Sequence, residues 1–217
     1  MKEGRTGERD SRLPPELEVI GAVRGDPILL VPYDDAWPAR FAEWRSLLHG
    51  ALGPRAVRID HVGSTAVPGL PAKPVVDIQV SVTDVEDESA YVAAIESTGM
   101  RLRSREPGHR YFRPPPGIDR VVQIHVCAVG SDWERVHILF PAYLRANPAR
   151  AAAYARLKRD LAAAFPDDRI GYTDAKGPFI EETLVMAATW AARTGWRPYV
   201  ILPGEDESGV SEAPRDK

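Results

Sequence analysis

The chain has a single cysteine, Cys127, in 217 residues. A lone thiol excludes an intrachain disulfide framework and a cysteine-rich zinc site. It lies in the apolar run VVQIHVCAV, where the expected role is a small buried hydrophobe. No uninterrupted apolar stretch is long enough to span a bilayer. The N-terminus, MKEGRTGERDSRLPPE, is charged from the start and lacks the apolar core of a signal peptide. These absences read as a cytoplasmic protein with no membrane partner. A basic excess is missing as well: 28 Lys and Arg against 31 Asp and Glu give a formal net charge of −3, unlike a protein that binds duplex nucleic acid.

What is present is an ordinary soluble composition, 44% hydrophobic and 27% charged, in a length that can bury one large core without staples. Residues 1–25 are rich in charge, Gly and Pro and read as a disordered extension; 203–217 read as a disordered tail, leaving one domain over 26–202. PILLVPY (27–33), AVRIDHVG (56–63), PVVDIQVSV (74–82), MRLRS, RYFRP and DRVVQIHVCAV read as strands. WPARFAEWRSLLHGAL reads as a helix with Trp37, Phe41, Trp44, Leu47, Leu48 and Leu52 on its core side. A further helix covers 87–99 and is closed by Gly99. From 132 the chain turns helical, with Asn147-Pro148 opening one helix and Gly177-Pro178 opening a last one that ends at Gly195. Strands first and helices last predict an α+β fold: a mixed β-sheet with helices packed against it and a helical C-terminal third.

The stretch HVGSTAVPGLPAKPVVDIQV (61–80) carries the chemistry. Gly63 and Gly69 allow unusual backbone angles, while Pro68, Pro71 and Pro74 stiffen the loop. Ser64 and Thr65 supply hydroxyls and Lys73 a charge. Backbone N–H groups bunched at such a turn can cradle phosphate. The alternative is a tight proline-pinned crossover, since the Gly-Lys-Ser/Thr ending of a P-loop is absent. Alternation puts Val76, Ile78, Val80 and Val82 on one face of the next strand and Val75, Asp77, Gln79 and Ser81 on the other. In VVQIHVCAV, Gln123, His125 and Cys127 likewise oppose Val122, Ile124 and Val126. If both strands join one sheet, Asp77, Gln79, Gln123 and His125 share its non-core face.

Two further cations join the candidates. Lys158 falls inside the apolar stripe Tyr154, Leu157, Leu161, Ala162 and Phe165. It either snorkels to the stripe's edge or points into a polar pocket where an anion pairs with it. Tyr172 and Lys176, in YTDAKGPF, sit just ahead of a helix N-terminus, a natural anion position. An acid next to a small-residue loop suits a nucleotide or other phosphorylated small molecule, with Asp77 holding Mg2+ that bridges the phosphates. A mononuclear metal site built from His61, His125 and Asp77 is a further alternative.

At these residues the chain resembles the GrpB family of the nucleotidyltransferase (DNA polymerase β-like) superfamily. IDHVGSTAVPGLPAKPVVDIQV is the most specific block; VPYDDAWPARF, QIHV, YLRANP, YARLKRDLAAAF and YTDAKGPFI match separately. The resemblance covers about 28–192 and implies a nucleotidyltransferase-like fold. Carried over, Gly63 and Ser64 match the superfamily's Gly-Ser pair and Asp77 its first acid. Gln79 stands where the second acid belongs, as in GrpB relatives generally, and Gln123 or His125 falls near the third. LFPAYLR shows Pro141 and Ala142 where relatives usually have Arg and Asp. The implied site is thus Asp77 and His125 as catalytic groups, Asp77 as metal ligand, and Gly63, Ser64, Thr65, Lys73, Gln79, Lys158, Tyr172 and Lys176 around the ligand. The implied activities are nucleotide binding, with or without Mg2+-dependent nucleotidyl transfer, or a non-catalytic module assisting a coenzyme A biosynthetic kinase. The second follows from relatives fused behind dephospho-coenzyme A kinase.

Overall fold

A computed structural model of the chain describes residues 14–20 and 28–198. The remainder of the expected extension and tail, and both ends of the expected domain, lie outside the described residues. Six strands form one sheet in the order β1-β4-β5-β6-β3-β2. They are β1 (Glu18–Val19), β2 (Arg58–Val62), β3 (Val76–Val82), β4 (Arg101–Glu106), β5 (His109–Arg113) and β6 (Val122–Ala128). β3 and β6 run parallel and every other neighbouring pair is antiparallel, so the sheet is mixed.

The helices are α1 (Ala36–Leu52), α2 (Val92–Ser97), α3 (Asp132–Ala146), α4 (Pro148–Ala164), α5 (Arg169–Asp174) and α6 (Gly177–Thr194). One face of the sheet packs on α1 and α2. Val76, Ile78, Val80 and Val82 of β3 and Val122, Ile124 and Val126 of β6 meet Trp37, Leu48, Leu52 and Ile95 there. Burial of that many side chains, each worth about 1.5–3 kcal/mol, drives the fold. α3 covers the other face through Trp133 and Glu134. Its far side packs on α6 through Leu139, Tyr143 and Ala187. α4 closes over the 61–74 loop, with Tyr154 and Ala155 against Val67 and Leu70.

The expected α+β architecture is therefore present, with local differences. The strand expected at 27–33 reduces to one bridge, in which Val31 exchanges both backbone hydrogen bonds with Ala72 at 2.9 and 3.0 Å. Pro32 follows it and has no N–H with which to extend a ladder. The helix expected at 87–99 breaks into a 3-10 turn at Glu88–Ala90 and the short α2. Tyr91 (φ −137°, ψ −26°) leaves helical geometry between them, and its hydroxyl is held by the Val85 carbonyl at 2.6 Å. Leu47, placed on the core side by periodicity, is 47% exposed, while Trp37, Leu48 and Leu52 are fully buried. Glu18 and Val19 fall in the stretch read as a disordered extension, yet they pair with Arg105 and Ser104 at the sheet edge. α5, between α4 and α6, has no counterpart in the sequence reading.

Candidate functional site

The site forms where the 61–74 loop turns into β3. Gly63 adopts φ +69° and ψ −164°, a conformation natural to glycine alone. A β-carbon there would lie 3.0 Å from Asp77 Cγ and closer still to Oδ2. The missing side chain lets the turn lie directly against the carboxylate. β3 and β6 pair so that Asp77 faces Gln123, Gln79 faces His125 and Ser81 faces Cys127. The four polar residues expected to share the non-core face do share it.

Asp77 is held from two sides. The Gln123 amide donates to Oδ1, and His125 Nε2 lies 3.6 Å from the same oxygen. The Gln123 carbonyl oxygen in turn accepts from the Tyr111 hydroxyl and from Arg120, each at 2.7 Å. Burial alone would raise the Asp77 pKa, but hydrogen bonds from His125 and Gln123 and the charge of Lys73 hold it below the ordinary carboxylate value. The group stays ionised, and its side chain is 24% exposed.

Behind His125 runs a chain of ring nitrogens. His125 Nδ1 lies 2.9 Å from His109 Nε2, and His109 Nδ1 lies 2.5 Å from Glu106 Oε1. Four adjacent strands, β4, β5, β6 and β3, each contribute one member of the path from Glu106 to Asp77. Trp133 of α3 stacks on His109 at 4.3 Å and on His137 at 3.6 Å, fixing the rings from above. Burial lowers the His109 pKa, with Glu106 opposing.

Cations surround this single carboxylate. Lys158 is 2% exposed; its ammonium lies 4.8 Å from the Tyr154 ring centroid and donates to the Pro71 carbonyl. Lys176 and Lys73 lie 4.4 and 6.0 Å from the Tyr172 ring centroid. Among the described residues none of these three lysines forms an ion pair. Burial lowers the pKa of Lys158 to about 7, helped by the charges of Lys176, Arg159 and Lys73. Burial, then Arg169, Lys176 and Arg120, bring Lys73 to about 8; burial and Arg169 do the same to Lys176, against Asp77. Ammonium groups crowded this way favour an anion, because each added negative charge relieves both desolvation and mutual repulsion.

The structure thus brings Gly63, Lys73, Asp77, His125, Lys158, Tyr172 and Lys176 around one centre, with Ser64 on the Tyr154 side of it. It draws others away. Thr65 is 1% exposed, and its hydroxyl lies 2.9 Å from His61 Nε2 instead of facing the lysines. Gln79 is fully buried, and neither polar atom of its side chain has a hydrogen-bond partner. His61 pairs across the sheet with Ile78 and stacks on Phe41, on the face opposite Asp77. The His61–His125–Asp77 triad is therefore not formed, and no group of three or more His, Cys, Asp or Glu suited to a metal occurs among the described residues. Sequence reasoning missed Tyr154, Arg120, Arg169 and the Glu106–His109 extension. Alternation along HRYFR (109–113) places Tyr111 with His109, which was a usable signal; the pairing of His109 with His125 was not visible.

A family model described as GrpB protein matches residues 27–185. The chain belongs to the GrpB family. Within that family, a UPF0157 protein of Halalkalibacterium halodurans is 39% identical over 163 residues, 74% of this chain and 82% of that one. The crystal structure of conserved protein GrpB from Enterococcus faecalis matches with a TM-score of 0.67 and 32% identity, covering 76% of this chain and 99% of that one. A dephospho-CoA kinase of Mycolicibacterium paratuberculosis is 31% identical over 198 residues, which is 79% of this chain but 49% of the kinase.

The donor set can be tested against the Mg2+ that the superfamily resemblance implies. Asp77 is the ionised, partly exposed carboxylate on the site face of β3, and the turn at Gly63 lies directly against it. Mg2+ is commonly held by one or two carboxylates together with substrate phosphates and water. The residues fit one such ion shared with a ligand. They do not supply the carboxylates that clamp two ions in phosphoryl and nucleotidyl transfer.

Proposed function

We propose that this GrpB-family protein binds a nucleotide or other phosphorylated metabolite at the Asp77 site. Lys73, Lys158 and Lys176 neutralise the phosphates, and the turn at Gly63 and Ser64 lies against them. Asp77 would hold one Mg2+, which would supply positive charge to offset the phosphates, and His125 positions the ligand beside it. The observation that carries this reading is a cluster of three lysines without an ion pair among the described residues, buried Lys158 beside half-buried Lys73 and Lys176, the latter two within the field of Asp77. Lys158 alone, 2% exposed and bonded only to a carbonyl, is costly without an anion.

The lone carboxylate favours binding over conventional two-metal nucleotidyl transfer. A second reading therefore stands beside it: a non-catalytic module that assists a coenzyme A biosynthetic kinase. The half-length match inside a dephospho-CoA kinase supports that context.

Calorimetry with nucleoside triphosphates and coenzyme A precursors, with and without Mg2+, tests the proposal. Binding is expected to strengthen with Mg2+, and Asp77→Ala should abolish that increment. An Asp77→Ala variant that keeps the full Mg2+ effect overturns the role of the carboxylate. Transfer of a nucleotidyl label to an acceptor, lost in Asp77→Asn, would overturn the non-catalytic reading.

A further inference from the structure

Beside the Asp77 site lies a pocket of about 550 Å³, within the roughly 300–1,000 Å³ typical of small-molecule sites. It opens off the N-terminal ends of the parallel pair β3 and β6. Lys73, Arg120 and Arg169 line it on the site side, and Arg113 lines it as well. Residues 114–117, the run Pro-Pro-Pro-Gly, give it a stiff wall, with Leu29 and Ile118 beside it.

The pocket and the site share their cations. Lys73 lines the pocket while its charge is felt by Asp77. Arg120 lines it too, and hydrogen-bonds the Gln123 carbonyl oxygen whose amide holds Asp77. Four cationic residues thus face one carboxylate, Asp119, in this lining. The far wall has a different character. Leu29 is 60% and Ile118 63% exposed, among the most exposed large apolar side chains of the described residues. A free phosphate gains nothing from that wall. A sugar phosphate would set hydroxyl groups against prolines and isoleucine. A flat, largely apolar ring gains area burial from the prolines and stacking from the guanidinium planes.

We infer that this pocket receives the nucleobase end of a nucleotide whose phosphates lie at the Asp77 site, so that Lys73, Arg120 and Arg169 bridge the two halves of one ligand. The inference rests on the anion-binding reading above and narrows it from phosphorylated metabolites to nucleotides. The proline wall recognises a planar surface and not a hydrogen-bond pattern.

Calorimetry on the full chain with Mg2+, comparing inorganic tripolyphosphate, ribose 5-phosphate and each of ATP, GTP, CTP and UTP, tests it. At least one nucleotide is expected to bind about tenfold or more tightly than tripolyphosphate, a difference of about 1.4 kcal/mol. The double variant Leu29→Ser/Ile118→Ser changes only exposed, uncharged positions. It should erase that ratio and leave tripolyphosphate affinity unaltered. Equal affinity of tripolyphosphate and every nucleotide overturns the inference while the anion site stands. So does a ratio that survives in the double variant, or ribose 5-phosphate binding as tightly as the best nucleotide. Absence of binding by all six probes overturns the anion-binding reading and this inference together.

Discussion

Gly63 and Asp77 lie so close that a β-carbon at position 63 would press on the carboxylate, 3.0 Å from its Cγ. The contact joins the turn before β3 to the acid on it. Gly63→Ala must both move that carboxylate and hold alanine at φ +69°. The strain is expected to cost about 1–3 kcal/mol. The midpoint of thermal unfolding should fall by on the order of 5 °C. Mg2+-dependent ligand binding should weaken further than Tm alone explains. A variant with wild-type Tm and affinity would show that the turn yields freely.

Lys158 predicts an unusual pH dependence. Its folded-state pKa of about 7 lies below the ordinary lysine value, so the unfolded chain binds more protons between pH 7 and the unfolded value near 10.4. Stability of the ligand-free protein should therefore rise as pH increases across that window. Lys73 and Lys176, each near 8, act in the same direction over its upper part. Lys158→Met should flatten the rise and be most stabilising relative to wild type at or below pH 7. Chemical denaturation at pH 6.5, 7.5, 8.5 and 9.5 reads this directly. A stability that falls with pH equally in both proteins contradicts it.

Anion binding should run the other way. A bound phosphate favours the charged lysines, so affinity for tripolyphosphate is expected to decrease from pH 7 to 9 and binding near pH 8 to take up protons. Calorimetry in two buffers of different ionisation enthalpy measures the uptake. Zero uptake would mean the lysines are already charged before the ligand arrives.

Gln79 is buried without a partner for either polar atom of its side chain. Gln79→Met keeps the volume and removes the unsatisfied groups. It should stabilise the protein by about 1 kcal/mol, or roughly 2–4 °C in Tm. Destabilisation would reveal a hydrogen bond that the amide makes in solution.

Glu106 supports His109, whose pKa burial already lowers. Glu106→Gln removes the negative charge 2.5 Å from Nδ1 and should lower the titration midpoint of His109 further. The imidazole Cε1–H chemical shift followed against pH gives the midpoint. No displacement would show that the carboxylate does not govern that ring.

The period-two alternation of β3 and β6 was legible in the sequence. It separated Val76, Ile78 and Val80 from Asp77 and Gln79, and the core forms on the side it named. The Gly-Ser-Pro loop and its acid could also be read, because they are neighbours along the chain. Thr65 was harder. Its side chain follows the local turn onto His61, and no spacing rule states which way a 3-10 turn aims a hydroxyl.

Sequence by itself determined which residues alternate, where backbone needs glycine, and that Asp77 is the one acid on the polar side of β3. These are local facts, settled by sterics and by the two-residue period of a strand. Tertiary structure alone decided that Gln123 grips Asp77 from 46 residues away, that Lys158 reaches the Pro71 carbonyl and that Glu106, His109 and His125 line up. Each of those depends on strand register or helix docking. Register and docking are fixed by how the whole apolar set packs, and no short stretch of chain contains that information.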